Sequence, residues 1–267
     1  MLIDYHIHSR FSPDSEADLG DICRAAVNAG LDEICFTDHM DFTYPHAYEN
    51  LYIHDLDNYL TTIEHYRKEF QGQLTIRSGV EIGMEIHRLK AYDDMLKQFP
   101  FDFVIGSIHE IAGVPVSRPA FFQGKSKAAV YEEYYSNMLE CIREFDNFDV
   151  VGHLDYCKRY MPYPYECGDH TRQMDLINTI LEELVKRGKG IEVNTSGYRH
   201  ESAMCLPHFD ILRHYHQLGG TRITTGSDSH VSKYIGFKVP ETTDVLKQLG
   251  YQTISTFGLR HETRIPL

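Results

Sequence analysis

The sequence predicts an α/β fold in which strands and helices alternate along the chain and the parallel strands close into a barrel. Short apolar runs bounded by Gly, Asp or Pro alternate with amphipathic segments of helical length, which is typical of repeated strand-helix units. The chain has 267 residues, 42% of them hydrophobic, which is enough for one large core, and no stretch has the composition of a linker. We therefore expect a single domain spanning residues 1–267.

Seven segments have the length and apolar character of strands in this pattern. The predicted strands are Leu2–Ser9, Glu33–Thr37, Thr75–Ile82, Phe101–Ile108, Asp149–Leu154, Gly190–Asn194 and Arg222–Ser227. The predicted helices are Leu19–Ala29, Leu56–Phe70, His87–Gln98, Ala128–Phe145, Thr171–Arg187, Pro207–His216 and Thr242–Leu249. Two stretches rich in aromatic residues and proline are predicted to be long loops, Tyr44–Asp55 and Gly113–Lys125.

The charge of the chain argues against polyanionic partners and in favour of bound cations. The net charge is -13 with histidine counted as neutral, so the surface repels nucleic-acid backbones and anionic membranes. An anionic substrate then needs a local source of positive charge. The chain has 16 histidines, which bind metal ions at neutral pH, and bound metals would supply that charge.

The cysteines and the start of the chain indicate a cytoplasmic protein. The 6 cysteines are scattered, without a Cys-x-x-Cys pair, so we expect them to be reduced and structural. The first residues lack the basic stretch and apolar core of a signal peptide, and no apolar run reaches membrane-spanning length.

The first predicted strand carries two histidines at its carboxyl end. The two-residue period of a strand places Asp4, His6 and His8 on one face and apolar residues on the other. Taken alone, such a pair is also compatible with polar histidines in a core.

Other predicted strands end in the same kinds of residue. These residues are Asp38, His39, Glu81, His109, His153, Asp228 and His230. In a parallel barrel these ends meet at one face, whereas unrelated polar residues would be scattered. Imidazole and carboxylate donors without thiolates favour zinc, manganese or iron over calcium. The set exceeds what one ion can use, and a lone carboxylate among histidines, Glu81, is suited to bridge two ions.

In this order, the motifs resemble those of the polymerase and histidinol phosphatase (PHP) family. The motifs that carry the resemblance are His6-x-His8, Asp38-His39, Glu81, His109, His153 and Asp228-Ser229-His230. The resemblance covers essentially the whole chain. It implies a distorted (β/α)7 TIM-like barrel, two or three divalent metal ions (zinc, manganese or iron) and hydrolysis of a phosphomonoester.

The resemblance also implies a grouping of the site residues. His6, His8, Glu81 and Asp228 would hold one metal, Glu81, His109 and His153 a second, and Asp14, His39 and His230 a third. Asp14 stands near a position where many family members have a histidine, and it could instead simply start a turn after Pro13. Glu81, Asp228 and Asp38 are the predicted catalytic residues.

A hydroxide held between two metals is a strong nucleophile, so in-line attack on phosphorus would follow. Arg159 and Arg199 are predicted to bind the phosphate, because a guanidinium fork matches phosphate oxygens. The proton for the leaving alcohol could come from Asp38, Asp155 or a metal-bound water. Alternatively, Asp4 and Asp38 orient the histidines. An aromatic pocket for an imidazole group is predicted from Phe121, Phe122, Tyr44, His46 and Tyr48.

The activity that the resemblance implies is the hydrolysis of L-histidinol phosphate in histidine biosynthesis. The expected partner is this small substrate, without nucleic acid or membrane, and the chain would be a monomer or small homo-oligomer. One alternative is a PHP phosphoesterase for a nucleotide, a nucleic-acid end or a phosphotyrosine protein. A second is a non-catalytic metal-binding module of a polymerase assembly. A third, metal-dependent amide hydrolysis, predicts a carboxylated lysine where this chain has Glu81.

Overall fold

A computed structural model describes residues 1–42, 53–164, 169–200 and 203–267. Its strands are β1 (Ile3–Ile7), β2 (Glu33–Phe36), β3 (His39–Met40), β4 (Thr75–Gly83), β5 (Phe103–Ser107), β6 (Glu110–Ile111), β7 (Val114–Pro115), β8 (Val150–Val151), β9 (Gly190–Asn194), β10 (Ile223–Gly226), β11 (Thr253–Gly258) and β12 (His261–Pro266). Its α-helices are α1 (Leu19–Asn28), α2 (Leu56–Glu69), α3 (Leu89–Leu96), α4 (Pro119–Phe122), α5 (Lys127–Glu144), α6 (Met174–Lys186), α7 (Phe209–Gln217) and α8 (Val239–Gln248). Short 3-10 helices span Tyr156–Arg159, Asp169–Gln173, Thr195–Arg199 and Ser232–Tyr234.

The main sheet consists of parallel strands in the order β1-β2-β4-β5-β8-β9-β10, with a helix between each strand and the next. Its two edges also meet. The His8 N–H donates to the Ser229 carbonyl at 2.9 Å, and the Asp228 N–H donates to the His6 carbonyl at 2.8 Å. The sheet is therefore nearly closed, and the predicted distorted TIM-like barrel with seven main strands is confirmed. The short β3 extends this arrangement by pairing with the end of β4.

Helix α1 illustrates how the sequence determines these elements. The Asp18 carboxylate caps it by accepting a hydrogen bond from the Gly20 N–H at 2.9 Å. The buried side chains of the helix, Leu19, Ile22, Cys23 and Ala26, recur at helical spacing. They pack against the barrel and leave the polar face outside.

Two sequence predictions differ from the structure. The predicted strand Asp149–Leu154 shortens to β8, because the His153 N–H donates to the Glu192 carboxylate at 2.7 Å instead of extending the sheet. The predicted loop Gly113–Lys125 is wrong in part, since it contains β7 and α4, whose phenylalanines are buried. The other predicted loop, Tyr44–Asp55, lies mostly outside the described residues.

The carboxyl-terminal hairpin of β11 and β12 was not predicted from the sequence. It lies at the amino-terminal ends of the barrel strands, where the Leu259 N–H donates to the Asp102 carboxylate at 2.9 Å. The Phe257 N–H donates to the Tyr5 hydroxyl oxygen at 2.9 Å, and the Phe257 ring lies 4.9 Å from that of Phe103. The hairpin therefore covers one end of the barrel and leaves the opposite end for the predicted site.

The cysteines that the structure describes, Cys23, Cys35, Cys141, Cys157 and Cys205, are all buried and free of disulfides. Burial raises the pKa of the Cys23 and Cys141 thiols to about 12, so both are unreactive at neutral pH. Within the described residues, no helix has the length and apolar character needed to span a membrane.

Candidate metal centre

The predicted metal ligands, Asp14 excepted, lie at the carboxyl ends of strands. His6 lies within β1 and His8 directly after it, and Glu81 lies within β4. The side chains of all three are fully buried. Because parallel strands point the same way, their carboxyl ends bring these side chains to one face of the barrel.

The Glu81 carboxylate lies in the middle of this cluster. Five imidazole nitrogens approach its oxygens within 3.5 Å, those of His6, His8, His39, His109 and His153. Oε1 lies 2.9 Å from His153 Nε2, while Oε2 lies 3.1 Å from His6 Nε2. The two oxygens thus face different histidines, as expected of a carboxylate that bridges two ions.

The donor set fits divalent cations. His6 Nε2 and His8 Nε2 lie only 3.0 Å apart, and Glu81 Oε2 is buried without a hydrogen-bond partner among the described residues. Three-residue groups whose donor atoms lie within 4.8 Å of one another are His6-His8-Glu81, Glu81-His109-His153, His39-Asp41-His109 and His8-His39-His230. Imidazole nitrogens and carboxylate oxygens converging in this way suit zinc, manganese or iron.

Asp228 approaches the same group from the end of β10. Its Oδ1 lies 3.6 Å from His8 Nε2 and 3.9 Å from His6 Nε2. The backbone of Asp228 has a φ of 51°, a left-handed conformation that costs energy in a residue with a side chain. In this conformation the carboxylate points into the cluster, next to His6 and His8.

The proposed third group is more exposed than the others. Asp14 Oδ2 lies 3.1 Å from His230 Nε2 and 3.5 Å from His39 Nε2. The Asp14 side chain is 43% exposed, whereas that of Glu81 is 1% exposed. The three predicted side chains are therefore close together, but at the solvent edge of the cluster.

The electrostatics of the cluster match its geometry. Burial acts to raise the pKa of Glu81, but neighbouring imidazoles, first that of His6, hold it well below its ordinary value. Burial acts to lower the pKa of His109, but Asp41 and Glu81 raise it to about 10. The carboxylates around His6 likewise raise its pKa well above the ordinary value, so without a metal His6 and His109 hold protons against these carboxylates. A bound metal ion would take the place of those protons.

Arg159, one of the two arginines predicted to bind phosphate, lies beside Asp228. Its guanidinium donates to the Ser196 hydroxyl and, at 3.3 Å, to Asp228 Oδ2. It lies 5.1 Å from the centre of the Tyr156 ring. The Nε of Arg159 is buried and has no hydrogen-bond partner within the described part of the chain. This donor is therefore still available to an anion.

Arg199 approaches Asp228 from the other side. Its Nη2 donates to the carbonyls of Ser227 at 3.2 Å and Asp228 at 3.0 Å. Its guanidinium also lies 4.8 Å from the centre of the Tyr234 ring. Both predicted arginines thus lie at the carboxyl end of β10, next to the cluster.

Asp38 is linked to a histidine of the cluster through Ser12. Its carboxylate accepts hydrogen bonds from the Ser9 N–H at 2.6 Å and from the Ser12 hydroxyl at 2.7 Å. The Ser12 oxygen in turn lies 3.1 Å from His8 Nδ1. This geometry favours the orienting alternative for Asp38 over the prediction that it is catalytic.

Asp4 and Asp155 were the other two carboxylates considered beside the predicted site, and the structure places them differently. Asp4 accepts from the N–H groups of Ser227 and Gly236, both at 2.8 Å, so it fixes the chain after β10 and not an imidazole. Asp155 Oδ2 accepts from Lys158 Nζ at 2.6 Å, while its Oδ1 is buried and has no hydrogen-bond partner among the described residues, so Asp155 stays a candidate proton donor.

The predicted aromatic pocket is only partly described. Tyr44, His46 and Tyr48 lie outside the described residues. Phe121 and Phe122 are buried in α4, where they contribute to the hydrophobic core.

Two carboxylates beside the cluster were missed in the sequence analysis. Asp41 Oδ2 lies 2.9 Å from His109 Nδ1, and Glu192 Oε1 lies 2.6 Å from His6 Nδ1. A signal existed for Glu192, because it is the charged residue of the otherwise apolar start of β9 and shares a strand face with Asn194. The sequence gives a weaker indication for Asp41, which stands two residues after His39.

Comparisons with known proteins agree with this geometry. The model of the PHP domain family matches residues 4–196. A histidinol-phosphatase of Lactococcus lactis is 32% identical over 96% of this chain and 94% of its own length, and one of Bacillus subtilis is 26% identical over 88% and 95%. The crystal structure of the L. lactis histidinol phosphate phosphatase, complexed with zinc, L-histidinol and phosphate, is 31% identical and superposes with a TM-score of 0.91 over 98% of both chains. On the evidence of sequence, fold and motif order together, the chain belongs to the PHP domain family.

Proposed function

We propose that this chain is a metal-dependent phosphatase that hydrolyses L-histidinol phosphate to L-histidinol and phosphate in histidine biosynthesis. The observation that carries the proposal is the buried Glu81 carboxylate, surrounded by five imidazoles within 3.5 Å. The choice of substrate is supported by the L. lactis relative, whose structure contains L-histidinol and phosphate.

Three sets of residues are proposed to hold metal ions. They are His6, His8, Glu81 and Asp228 for the first ion, Glu81, His109 and His153 for the second, and Asp14, His39 and His230 for the third. The third set includes Asp14, whose side chain is 43% exposed, so we expect the third ion to bind least tightly. Glu81 belongs to the first two sets because its oxygens face different histidines.

When bound, the ions would activate water for attack on phosphorus and draw negative charge from the phosphoryl oxygens. The side chains of the protein would position the ester. Arg159 is buried and charged, and its Nε has no hydrogen-bond partner among the described residues, so it is suited to bind a phosphate oxygen. Arg199 would add a second positive charge on the other side of Asp228. The Asp38 carboxylate already accepts from Ser9 and Ser12, so we propose that Asp155 or a water, and not Asp38, protonates the leaving alcohol.

The test is phosphate release from the zinc- or manganese-loaded protein. The panel contains histidinol phosphate, a nucleoside monophosphate, a phosphotyrosine peptide and a generic aryl phosphate. We expect a preference for histidinol phosphate by orders of magnitude, and its loss in His8→Ala. His65→Ala is the matched control, since the His65 side chain on α2 is 69% exposed.

Slow and indiscriminate turnover would keep the metal-dependent phosphoesterase and remove the role in histidine biosynthesis. Preference for the nucleotide or the phosphotyrosine peptide would replace the substrate. An absence of turnover from protein with metal bound would favour the non-catalytic module instead.

We also propose that residues 1–267 form one domain that works in the cytoplasm as a monomer or small homo-oligomer. The net charge of -13 supports the proposal that neither nucleic acid nor an anionic membrane is a partner.

A further inference from the structure

Glu192 joins two parts of the candidate metal centre. Its side chain is almost fully buried, at 1% exposed. Oε1 lies 2.6 Å from His6 Nδ1, while Oε2 accepts a hydrogen bond from the His153 N–H at 2.7 Å. One carboxylate thus holds the ring of one proposed metal ligand and the backbone of another. The His153 backbone needs such support, since its φ of 20° is unusual for a residue with a side chain.

The glycines beside Glu192 leave room for its carboxylate. A Cβ on Gly226 would lie 2.3 Å from Glu192 Oε1, so only a glycine leaves room for this oxygen. A Cβ on Gly152 would lie 3.6 Å from Oε2, which is ordinary contact. The strand that carries Glu192 and the glycines beside it therefore form a close-fitting cradle.

Neighbouring hydrogen bonds determine which oxygen of Glu192 serves which partner. The Asn194 Oδ1 accepts from the Ser196 N–H at 3.0 Å, which turns the amide nitrogen of Asn194 toward Glu192. That nitrogen donates to Oε2 at 3.1 Å, so Oε2 accepts from two donors. Oε1 remains for His6 Nδ1. A carboxylate oxygen can only accept at this position, so the proton of the pair lies on Nδ1.

We propose that Glu192 is a positioning residue that keeps the His6 proton on Nδ1 and thereby leaves Nε2 free to bind metal. The inference rests on the proposed role of His6 as a metal ligand. His6 Nε2 is the nitrogen that lies 3.1 Å from Glu81 Oε2 and 3.0 Å from His8 Nε2. A carboxylate on the far nitrogen also makes an imidazole a stronger ligand.

The Glu192→Gln substitution keeps the size and shape of the side chain but removes its negative charge and replaces one accepting oxygen with an NH2 group. The glutamine oxygen would have to replace Oε2, because two N–H donors meet there. Its NH2 group would then face His6 Nδ1 and drive the imidazole proton to Nε2, where it blocks the metal. The opposite amide orientation would set NH2 against the donors of His153 and Asn194, so neither orientation preserves the native arrangement.

The experiment compares wild type and Glu192→Gln in two measurements made without substrate. Zinc affinity of the metal-free protein is measured by competition with a chromophoric chelator, and we expect it to fall about 10- to 100-fold. Long-range 15N–1H NMR of the zinc-loaded protein reports the His6 tautomer, and its signal is assigned by its absence in His6→Asn. We expect Nδ1–H in wild type and Nε2–H in Glu192→Gln.

Two further variants serve as a control and as a conservative substitution. Asp41→Asn removes a carboxylate next to His109 and should leave the His6 tautomer unchanged. Glu192→Asp keeps a carboxylate and should retain the Nδ1–H tautomer, which tests the inference even if Glu192→Gln fails to fold.

Wild-type zinc affinity in Glu192→Gln, or an unchanged His6 tautomer in it, would overturn the inference, as would Nε2–H in Glu192→Asp. A wild-type protein that binds no zinc, manganese or iron would instead overturn the proposed function. Because neither measurement uses an ester, a different preferred substrate leaves the inference standing.

Discussion

The two ends of the barrel bury carboxylates in different ways. At the amino-terminal end, three buried carboxylates of the described residues each pair with an arginine, in the pairs Arg67–Asp102, Arg77–Glu33 and Arg260–Asp149. At the carboxyl end, the carboxylate at the centre of the cluster, Glu81, faces imidazoles instead. Arginine keeps its charge at any physiological pH, whereas an imidazole near neutrality does not.

This difference distinguishes a structural end from a functional one. The amino-terminal end balances its charges permanently and is covered by the hairpin of β11 and β12. At the carboxyl end, the central carboxylate Glu81 faces no arginine or lysine among its ion pairs in the described residues, and protonated imidazoles or bound cations would balance its charge. Buried charge without a permanent counter-ion destabilises a fold, so its presence here indicates a site for metal.

The largest effect is expected from replacing the central carboxylate. In Glu81→Gln, an uncharged amide replaces the oxygens that face two groups of histidines, so kcat/KM for histidinol phosphate should fall by about 1000-fold or more. Zinc content, measured by elemental analysis, should fall with it. Glu33→Gln at the amino-terminal end is the control and should retain zinc and kcat. Equal losses of zinc and activity in both variants would contradict the distinction between a structural end and a functional end.

Removing the metal should destabilise the protein, because the buried carboxylate at the carboxyl end of the barrel then loses its cations. Urea unfolding with zinc at about 100 to 1000 times its Kd, compared with chelator, should show a loss of about 3 to 4 kcal/mol in the free energy of unfolding for each ion removed. The same chelator should change the stability of Glu81→Gln much less. Coincident unfolding curves for wild type with zinc and with chelator would contradict the assignment of the carboxyl end to metal binding.

Arg159 is an arginine at the carboxyl end, so its role can be compared with that of the arginines at the amino-terminal end. Its pair with Asp228 leaves Nε without a hydrogen-bond partner among the described residues. In Arg159→Lys the planar fork is lost, and KM for histidinol phosphate should rise about 10- to 100-fold. Arg67→Lys, at the structural end, should leave KM unchanged. A normal KM in Arg159→Lys would remove Arg159 from phosphate binding.

The sequence was sufficient for the barrel and for the residues that meet at its carboxyl end. Strand and helix periods predict the alternation, and parallel topology brings the strand ends together, so His6, Glu81 and His153 could be placed from their position in the chain. The carboxylates behind them could not be assigned to a partner, because a hydrogen bond such as that from His6 Nδ1 to Glu192 depends on side-chain direction across the barrel. Their chain separation is 186 residues.

The missed hairpin has a different cause. Tight hairpin turns are recognised by Asn-Gly or Asp-Gly, since both turn residues need positive φ. Here Leu259 and Arg260 adopt φ values of 47° and 67°. Their backbone is stabilised by Asp102, which accepts from the Leu259 N–H through its side chain and from the Arg260 N–H through its carbonyl, both at 2.9 Å. Tertiary contacts thus compensate for a turn that local sequence does not favour.

The smallest effect is expected at the structural end. Arg260→Met leaves the Asp149 carboxylate, which is 4% exposed, without its cation. Because Arg260 is itself 25% exposed, solvent screening limits the loss, and we expect about 1 to 2 kcal/mol in urea unfolding. Zinc affinity and kcat should be unchanged, and a change in either would show that the two ends are coupled.

The pH dependence of that loss tests its cause. Burial raises the pKa of Asp149 in the native protein, while Arg260 opposes the rise. Without Arg260 the native pKa rises further above that of the unfolded chain, so ionising Asp149 costs more native stability. The cost is absent below the unfolded pKa, about 4, and develops as pH rises through the native pKa. The deficit of Arg260→Met should therefore be smallest in acid and largest near neutrality. A deficit independent of pH would mean that Arg260 stabilises the hairpin by packing its aliphatic stem and not by its charge.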